Sequence, residues 1–396
     1  MGLPLEGIRI LELGQIIAGC FGTIPLADLG AEVIKVEPFK GDAGRVPSIG
    51  YLKGESALFL TFNRNKRSIV LDLKRPEGLE IFYDLVRRSD VVIDNFRPGV
   101  LQRLKIDYET LKTINPRIIA ASVTGFGEES PYRDRPSYDL IHQAMTGLMS
   151  ITGEPGRPPV RAGIPLADLA GPIFACKGIL IALLERERTG MGQRVDVAMF
   201  DALSALLTYI ATLYLSQGEV PGPPGSAHEY QVPYQAFETR DGYIVVVTRE
   251  DSFWRKLCGA LARPDLAEDP RFATNAGRVQ HRTVLIPLLE DVFRRKGREE
   301  WICLLEEAGV PAAPLNTLDQ ALDDPHLGVR DMVVRFEYPG VGPVRALGNP
   351  IKLSRHPHSR CDPPPTLGQH TDEVLSRVLG YPAERIAVLR QQGITR

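Results

Sequence analysis

The sequence predicts an α/β fold built on a parallel sheet covered on both faces, followed by a smaller α+β domain. Strand-like and helix-like stretches alternate from residue 8 to residue 127, a proline- and glycine-rich tract interrupts the chain at 218–234, and a second set of strand and helix patterns follows that tract. With 396 residues the chain also exceeds the size at which one core stays compact, so two domains, or one large and one small, are expected.

The elements follow in order. IRILEL (8–13) is a strand, an apolar stretch ending at Leu29 and Gly30 is a helix stopped by glycine, and EVIKVE (32–37) is a second strand. The βαβ pattern repeats through SIVLDL (68–73), a helix opened by Pro76 and Glu77, VVIDNF (91–96), a helix after Pro98, and RIIAASVTGFG (117–127). Residues 139–151 and 169–187 read as helices, the second with Ile173, Phe174, Ile179, Leu180, Leu183 and Leu184 at helical spacing, and another apolar helix runs from about Val197 to Leu215. Beyond the tract GEVPGPPGSAHEYQVPY, YIVVV (243–247) is a strand, and 251–262, 282–295 and 298–308 are helices. Prolines from Pro339 to Pro365 trace an extended return path to a final helix, TDEVLSRVLG.

Composition narrows the function. Charged residues make up 24% and hydrophobic ones 43%, as in soluble globular proteins. With 47 basic and 49 acidic side chains intermixed, no overall field favours nucleic acid or an anionic membrane, so any phosphate binding is local. The five cysteines (Cys20, Cys176, Cys258, Cys303, Cys361) lack CxxC spacing, which fits a reducing cytoplasm better than a disulfide framework. No signal-like N-terminus and no apolar run of about 18 residues is seen, so neither export nor a membrane span is expected. None of the seven histidines has metal-ligand spacing, and no metal site is expected.

Four features carry chemistry. Glu37 ends the second strand as a ribose-binding acid would, but LGQIIAGCFGT lacks the GxGxxG spacing of a dinucleotide turn. Asp168, in GIPLADLAGPIFACKG, stands where the long apolar helix begins. A helix N-cap accounts for an aspartate there, and the same positive helix end also suits an ionised nucleophile. Asn95, Phe96, Arg97 and Arg103 in NFRPGVLQR, and Lys74 and Arg75 in LDLKRPEG, follow strands directly. Basic residues at helix starts oppose the helix dipole and hint at an anionic ligand, although solvated surface charge accounts for them equally. No G-x-S-x-G occurs, so a serine hydrolase lacks its signature.

Taken together, PLEGIRILEL, LGAEVIKVE, NRNKRSIVLDLK, DNFRPG, NPRIIAASVTGFG, LADLAGP, ERERTGMGQRVDVAM, VPYQAFETRDGYIVV and TLGQHTDEVL resemble the class III CoA-transferases over nearly the whole chain. That family includes formyl-CoA transferase and carnitine CoA-transferase, with α-methylacyl-CoA racemase as a divergent cousin. The resemblance implies that Asp168 attacks an acyl-CoA and passes through an aspartyl-CoA thioester, with coenzyme A as substrate and no tightly bound cofactor. It places CoA contacts on Ala18, Leu71, Lys74, Asn95, Phe96, Arg97, Arg103 and Tyr138, and marks Gly225, Ser226 and His228 as lid or substrate residues. Ile17 stands where formyl-CoA transferase has glutamine and Pro38 where it has arginine, so a formyl or oxalyl substrate is not implied. The place of the racemase histidine and aspartate reads Ser137, Tyr138, Asp139, so α-proton exchange, the alternative, lacks one partner.

SAHEYQVPYQAFETRDGYIVV and PPPTLGQHTDEVL are most similar to succinate-hydroxymethylglutarate CoA-transferase and succinyl-CoA-dependent dicarboxylate transferases, which implies succinyl-CoA as donor and a C4 to C6 dicarboxylate as acceptor. The resemblance further implies a large Rossmann-like CoA-binding domain (1–200 plus 345–396), a small domain (225–330), linkers at 201–224 and 331–344, and an interlocked homodimer.

Overall fold

The computed structural model describes residues 2–46 and 50–396. The chain forms two compact units, one of Met1–Thr146, Ala162–Thr212 and Pro325–Arg396, the other of Gly147–Arg161 and Leu213–Asp324. The main sheet of the first unit has six strands: β1 (Arg9–Glu12), β2 (Glu32–Glu37), β3 (Lys66–Val70), β4 (Val91–Asp94), β5 (Ile119–Thr124) and β6 (Arg194–Ala198). Their spatial order is β3-β2-β1-β4-β5-β6, and every neighbouring pair is parallel. The chain winds outward from β1 to β3, returns to β4 beside β1, and winds outward the other way. The crevice beyond the carboxyl ends of β1 and β4 is therefore a topological switch point, where open α/β sheets bind ligands.

Successive side chains point to opposite faces of a strand, which gives the sheet two covered faces. Ile10, Val33, Val91 and Ile119 are buried with Ile179, Ala182 and Leu183 of the long helix Leu166–Thr189. Leu11, Ile34, Ile69 and Val92 are buried with Phe82 and Leu85 of the helix Pro76–Val86 and with Val374 and Leu375 of the helix Thr371–Leu379. The C-terminus is sewn to β3, since Thr395 Oγ1 donates to the Val70 carbonyl at 2.6 Å and the Asp72 N–H donates to the Ile394 carbonyl at 3.0 Å.

The long helix approaches the sheet closely because its inner face is small. A Cβ on Gly171 would stand 2.9 Å from Met199 Cγ, and one on Gly178 would stand 2.6 Å from Val195 Cγ1. Ala167, Ala170, Ala175 and Ala182 continue that face. By length and composition this helix is apolar enough to cross a membrane, which the sequence reading of apolar runs did not register. Its outer face leaves Ile173, Leu180, Ile181 and Leu184 exposed.

Several local expectations need correction. RVDVA forms strand β6, whereas the helix expected from Val197 starts only at Met199 and breaks into Met199–Ala205 and Thr208–Gln217, bent by 80°. Val195 and Val197 alternate as in a strand, but the apolar helix behind them hid that period. The helix expected over 139–151 ends at Met145, because Gly147 turns the chain at φ +85° into a 3-10 turn. The return path begins inside a hairpin, Val333–Tyr338 paired with Gly342–Leu347, and a last helix, Ala383–Gln391, was not anticipated.

In the second unit, Tyr234–Thr239, Gly242–Val247 and Ala312–Pro314 form an antiparallel sheet. It is backed by the helices Asp251–Ala260, Arg282–Phe293 and Arg298–Glu307 around Phe237, Trp254, Phe293 and Trp301. The fully buried Arg278 donates to the carbonyls of Val232 (2.6 Å) and Phe272 (3.0 Å) and to Asp251 (2.9 Å).

Candidate active site

The loop after β1 has two glycines in backbone contact: a Cβ on Gly14 would lie 2.0 Å from the Gly19 carbonyl oxygen, and one on Gly19 would lie 2.4 Å from the Gln15 nitrogen. These glycines serve close backbone approach rather than a dinucleotide turn. A buried set of charges lies beneath the loop. Lys35 Nζ donates to the Gly14 carbonyl (2.7 Å) and pairs with Asp42 (2.7 Å) and Glu12 (3.1 Å). Lys66 Nζ pairs with Glu12 (2.8 Å) and donates to the Cys20 carbonyl (3.0 Å), while Thr23 also bonds to Glu12. Asp42 in turn accepts the Ile16 N–H (3.1 Å) and the Gly44 N–H (2.7 Å). Burial pushes the Asp42 carboxyl up, but Lys35 and these N–H donors outweigh it and hold it below the usual carboxylate range.

The loops after β1 and β4 are tied together by Asn95. Its Oδ1 accepts the Gln15 N–H at 2.9 Å and its Nδ2 donates to the Gln15 carbonyl at 3.1 Å. Asp94, buried at the end of β4, accepts from Ser122 Oγ (2.8 Å) and from the Phe96 N–H (3.0 Å), which sets the turn that presents Phe96 and Arg97. Burial pushes its carboxyl up to about 6.

At the switch point lies a cleft of about 570 Å³, within the size range of small-molecule sites. Of the residues expected from the sequence, Ala18, Asn95, Phe96, Arg97, Arg103, Tyr138 and Asp168 all line it. Leu71 and Lys74 do not: the Leu71 side chain is buried in the core, and Lys74 is exposed beyond the carboxyl end of β3. Gly225, Ser226 and His228 belong to the second unit, where Ser226 Oγ accepts the Ala236 N–H (3.2 Å) and His228 Nδ1 accepts the Tyr230 N–H (3.1 Å). None of the three is among the residues lining the cleft.

Asp168 is not the N-cap of the long helix, as its position in the sequence suggested, but its third residue, after Pro165 in the cap position. The capping contact comes from elsewhere in the chain, because Asp139 Oδ1 accepts the Ala167 N–H at 2.8 Å. Asp139 is held by Gln143, which donates to Oδ2 at 2.7 Å and accepts the Ala162 N–H at 2.9 Å. Asp168, half-buried in the cleft wall, is thus close to a second carboxylate. Burial first, and then the Asp139 charge, push its carboxyl up to about 6. Pro172, four residues on, has no N–H to give the Asp168 carbonyl, which loosens the helix at that turn.

Sequence reading noted Asp139 only at the place of the racemase pair and not as the neighbour of Asp168, and it missed the arginines Arg133 and Arg135 and the floor formed by Gly125, Phe126 and Met199. Ser137 lines the cleft as well and bonds to His142 Nε2 at 2.6 Å. His142 is fully buried against Phe126, with ring centroids 4.9 Å apart, and burial holds its imidazole below the usual histidine range. The glycine of GFG directly after a strand was the available signal for the floor, since a Cβ at Gly125 would stand 2.3 Å from Ser137 Oγ. Chemically, the cleft offers a half-buried carboxylate raised above the usual carboxylate range, with arginines elsewhere in its lining. Such a set can bind an anionic ligand and attack an electrophilic carbon held against Asp168.

Comparison with known proteins gives a consistent picture. A profile of CoA-transferase family III matches residues 5–371. The succinyl-CoA:glutarate CoA-transferase of Mus musculus is 39% identical over 392 residues, covering 99% of this chain and 90% of that protein. The succinyl-CoA–D-citramalate CoA-transferase of Chloroflexus aurantiacus is 36% identical over 393 residues, covering 99% and 98%. Among solved structures, a CAIB/BAIF family protein from Brucella suis superposes with a TM-score of 0.85 at 39% identity, covering 96% of this chain and 100% of that one.

Proposed function

The chain belongs to CoA-transferase family III and is a CoA-transferase, and from that premise we propose that it moves CoA from succinyl-CoA to a C4 to C6 dicarboxylate through a thioester on Asp168. The observation that carries this reading is the half-buried Asp168 in the wall of an arginine-lined cleft, raised to about 6 and so still ionised at neutral pH. A more basic carboxylate is a better nucleophile, and one with a value just below the working pH stays mostly in the reactive form. The substrates follow relatives whose names specify succinyl-CoA with glutarate or D-citramalate.

The steps balance without an external acid or oxidant. An Asp168 oxygen attacks the thioester carbon, the C–S bond breaks, and an aspartyl–acyl anhydride and a CoA thiolate result. The thiolate attacks the Asp168 carbonyl carbon, releasing succinate and leaving the aspartyl-CoA thioester. An acceptor carboxylate then attacks that thioester, re-forming an anhydride and the thiolate, and the thiolate takes the new acyl group and restores the Asp168 carboxylate. Arg97 and Arg103, on the segment after β4, supply positive charge for the CoA phosphates, with Ala18, Asn95, Phe96 and Tyr138 along the arm. Lys74 extends the same edge of the sheet, and the Leu71 contact falls to its backbone. The exposed row Ile173, Leu180, Ile181 and Leu184 serves contact between two copies of the chain.

The test is direct. Incubation with succinyl-CoA should leave an aspartyl-CoA thioester at Asp168, which hydroxylamine converts to free CoA and an Asp168 hydroxamate located by mass spectrometry, and Asp168→Ala should abolish both the hydroxamate adduct and transfer. A trapped adduct elsewhere, or transfer surviving in Asp168→Ala, would overturn the assignment.

A further inference from the structure

Four arginines line the cleft, and their origins divide them. Arg97 and Arg103 lie on the segment after β4, whereas Arg133 and Arg135 come from the β5 to β6 crossover that also carries Tyr138 and Asp168. The turn bearing the second pair is pinned to the cleft floor, because Tyr132 packs edge-on against Phe126 with ring centroids 5.6 Å apart. Arg135 is exposed and already engaged, its guanidinium 4.1 Å from the Tyr132 ring. Arg133 differs. It is half-buried, its Nε is shielded from water with no hydrogen-bond acceptor, and among the described residues neither it nor the neighbouring Asp134 is seen in an ion pair.

An unpaired guanidinium with a buried donor asks for a planar anion that accepts two hydrogen bonds. A monoacyl group has no such feature. A dicarboxylic acyl group carries one at the end remote from the reacting carbon, and it must be held somewhere each time either acid occupies the site.

We propose that Arg133 binds the remote carboxylate of the dicarboxylic acyl group, and so sets the preference for diacids over monoacids. This rests on the dicarboxylate reading above. Arg133→Gln and Arg133→Lys in the full chain test it by transfer from succinyl-CoA to glutarate and to valerate, with inhibition by free CoA measured in parallel. In Arg133→Gln the glutarate over valerate ratio of kcat/KM should fall about 10- to 100-fold, the range for a lost hydrogen bond to a charged group, mainly through the KM for glutarate. Inhibition by CoA should be unchanged, and Arg133→Lys should recover part of the ratio. An unchanged ratio, or an equal loss for both acids together with weaker CoA inhibition, overturns the proposal and hands Arg133 to the CoA phosphates. A wild-type enzyme that prefers valerate instead overturns the dicarboxylate reading itself, an outcome seen before any variant is made.

Discussion

The pH dependence of transfer follows from where Asp168 sits. Burial and the Asp139 carboxylate raise its carboxyl to about 6, against an ordinary value of 3.8. If the ionised form is the nucleophile, kcat/KM reports its fraction in the free enzyme: about 90% at pH 7, half at pH 6 and about 10% at pH 5. Activity measured with succinyl-CoA should therefore fall about tenfold between pH 7 and pH 5, whereas an ordinary aspartate would lose less than about a tenth of it. The conservative variant Asp139→Asn supplies the internal check. It retains an oxygen for the Ala167 N–H but removes the like charge, so the acid limb should move to lower pH while the helix start is preserved. Initial rates across pH 4.5–8 in constant-ionic-strength buffer, with circular dichroism to confirm folding at each pH, decide it. A rate that stays flat down to pH 5 in the wild type would falsify the proposed raised nucleophile, and an acid limb unmoved in Asp139→Asn would show that the second carboxylate has no part in it.

The same placement affects stability. The folded-state value lies above the unfolded one, so the native state binds this proton more tightly, and the stability it confers is complete below about pH 3.9 and lost as pH rises through about 6. Asp168→Asn should accordingly raise Tm at pH 7.5, by about 1–4 °C, and raise it less at pH 5; a lower Tm at pH 7.5 would contradict this. Lys66→Met leaves Glu12 underpaired in the core and should cost about 3–5 kcal/mol in urea unfolding, where a loss under about 1 kcal/mol would show the cluster to be dispensable. Gly125→Ala would force Ser137 and Tyr138 out of the cleft wall and should raise the KM for acyl-CoA about 10- to 100-fold with folding intact; an unchanged KM would mean the segment yields freely. If two copies associate through the exposed row of the long helix, as proposed, Ile181→Glu should halve the mass measured by sedimentation, and an unaltered mass would remove that face from the proposed contact.

What the sequence discloses, and what it hides, follows from the range of each interaction. Strand Val91–Asp94 is buried on both faces, so it shows as an apolar run before a turn and can be read locally. Strand Arg194–Ala198 is half exposed and runs straight into an apolar helix, so its period of two dissolves in the longer window. The position of Asp168 near a helix start was local information, but its actual place in the first turn and its capping partner were not. The Ala167 N–H is met by Asp139, 28 residues away, and no spacing rule connects the two. Arg133 and Arg135 in RDRPS look like solvated charge until the crossover brings them to the same cleft as Asp168.

The loop at the switch point explains why so many charges are buried beneath it. Gly14 and Gly19 touch backbone to backbone and carry no side chain, so apolar packing grips this loop only at the buried Ile17 and Ala18 between them, and directional bonds fix the rest of its path. Each end of that path is held by one. Lys35 takes the Gly14 carbonyl, Asn95 takes both backbone polar groups of Gln15, Asp42 takes the Ile16 N–H and Lys66 takes the Cys20 carbonyl. Burying Lys35, Lys66 and Asp42 as ions together with their partner Glu12 is costly in itself, and well-packed apolar residues would often be as stable. Apolar residues would leave those backbone groups unsatisfied and the loop free to shift, however, and a displacement of about 1 Å at a reacting centre is enough to cost about 100-fold in rate. The charges beneath the loop therefore serve its position more than the stability of the fold, and rate should respond to small changes among them more steeply than melting temperature does.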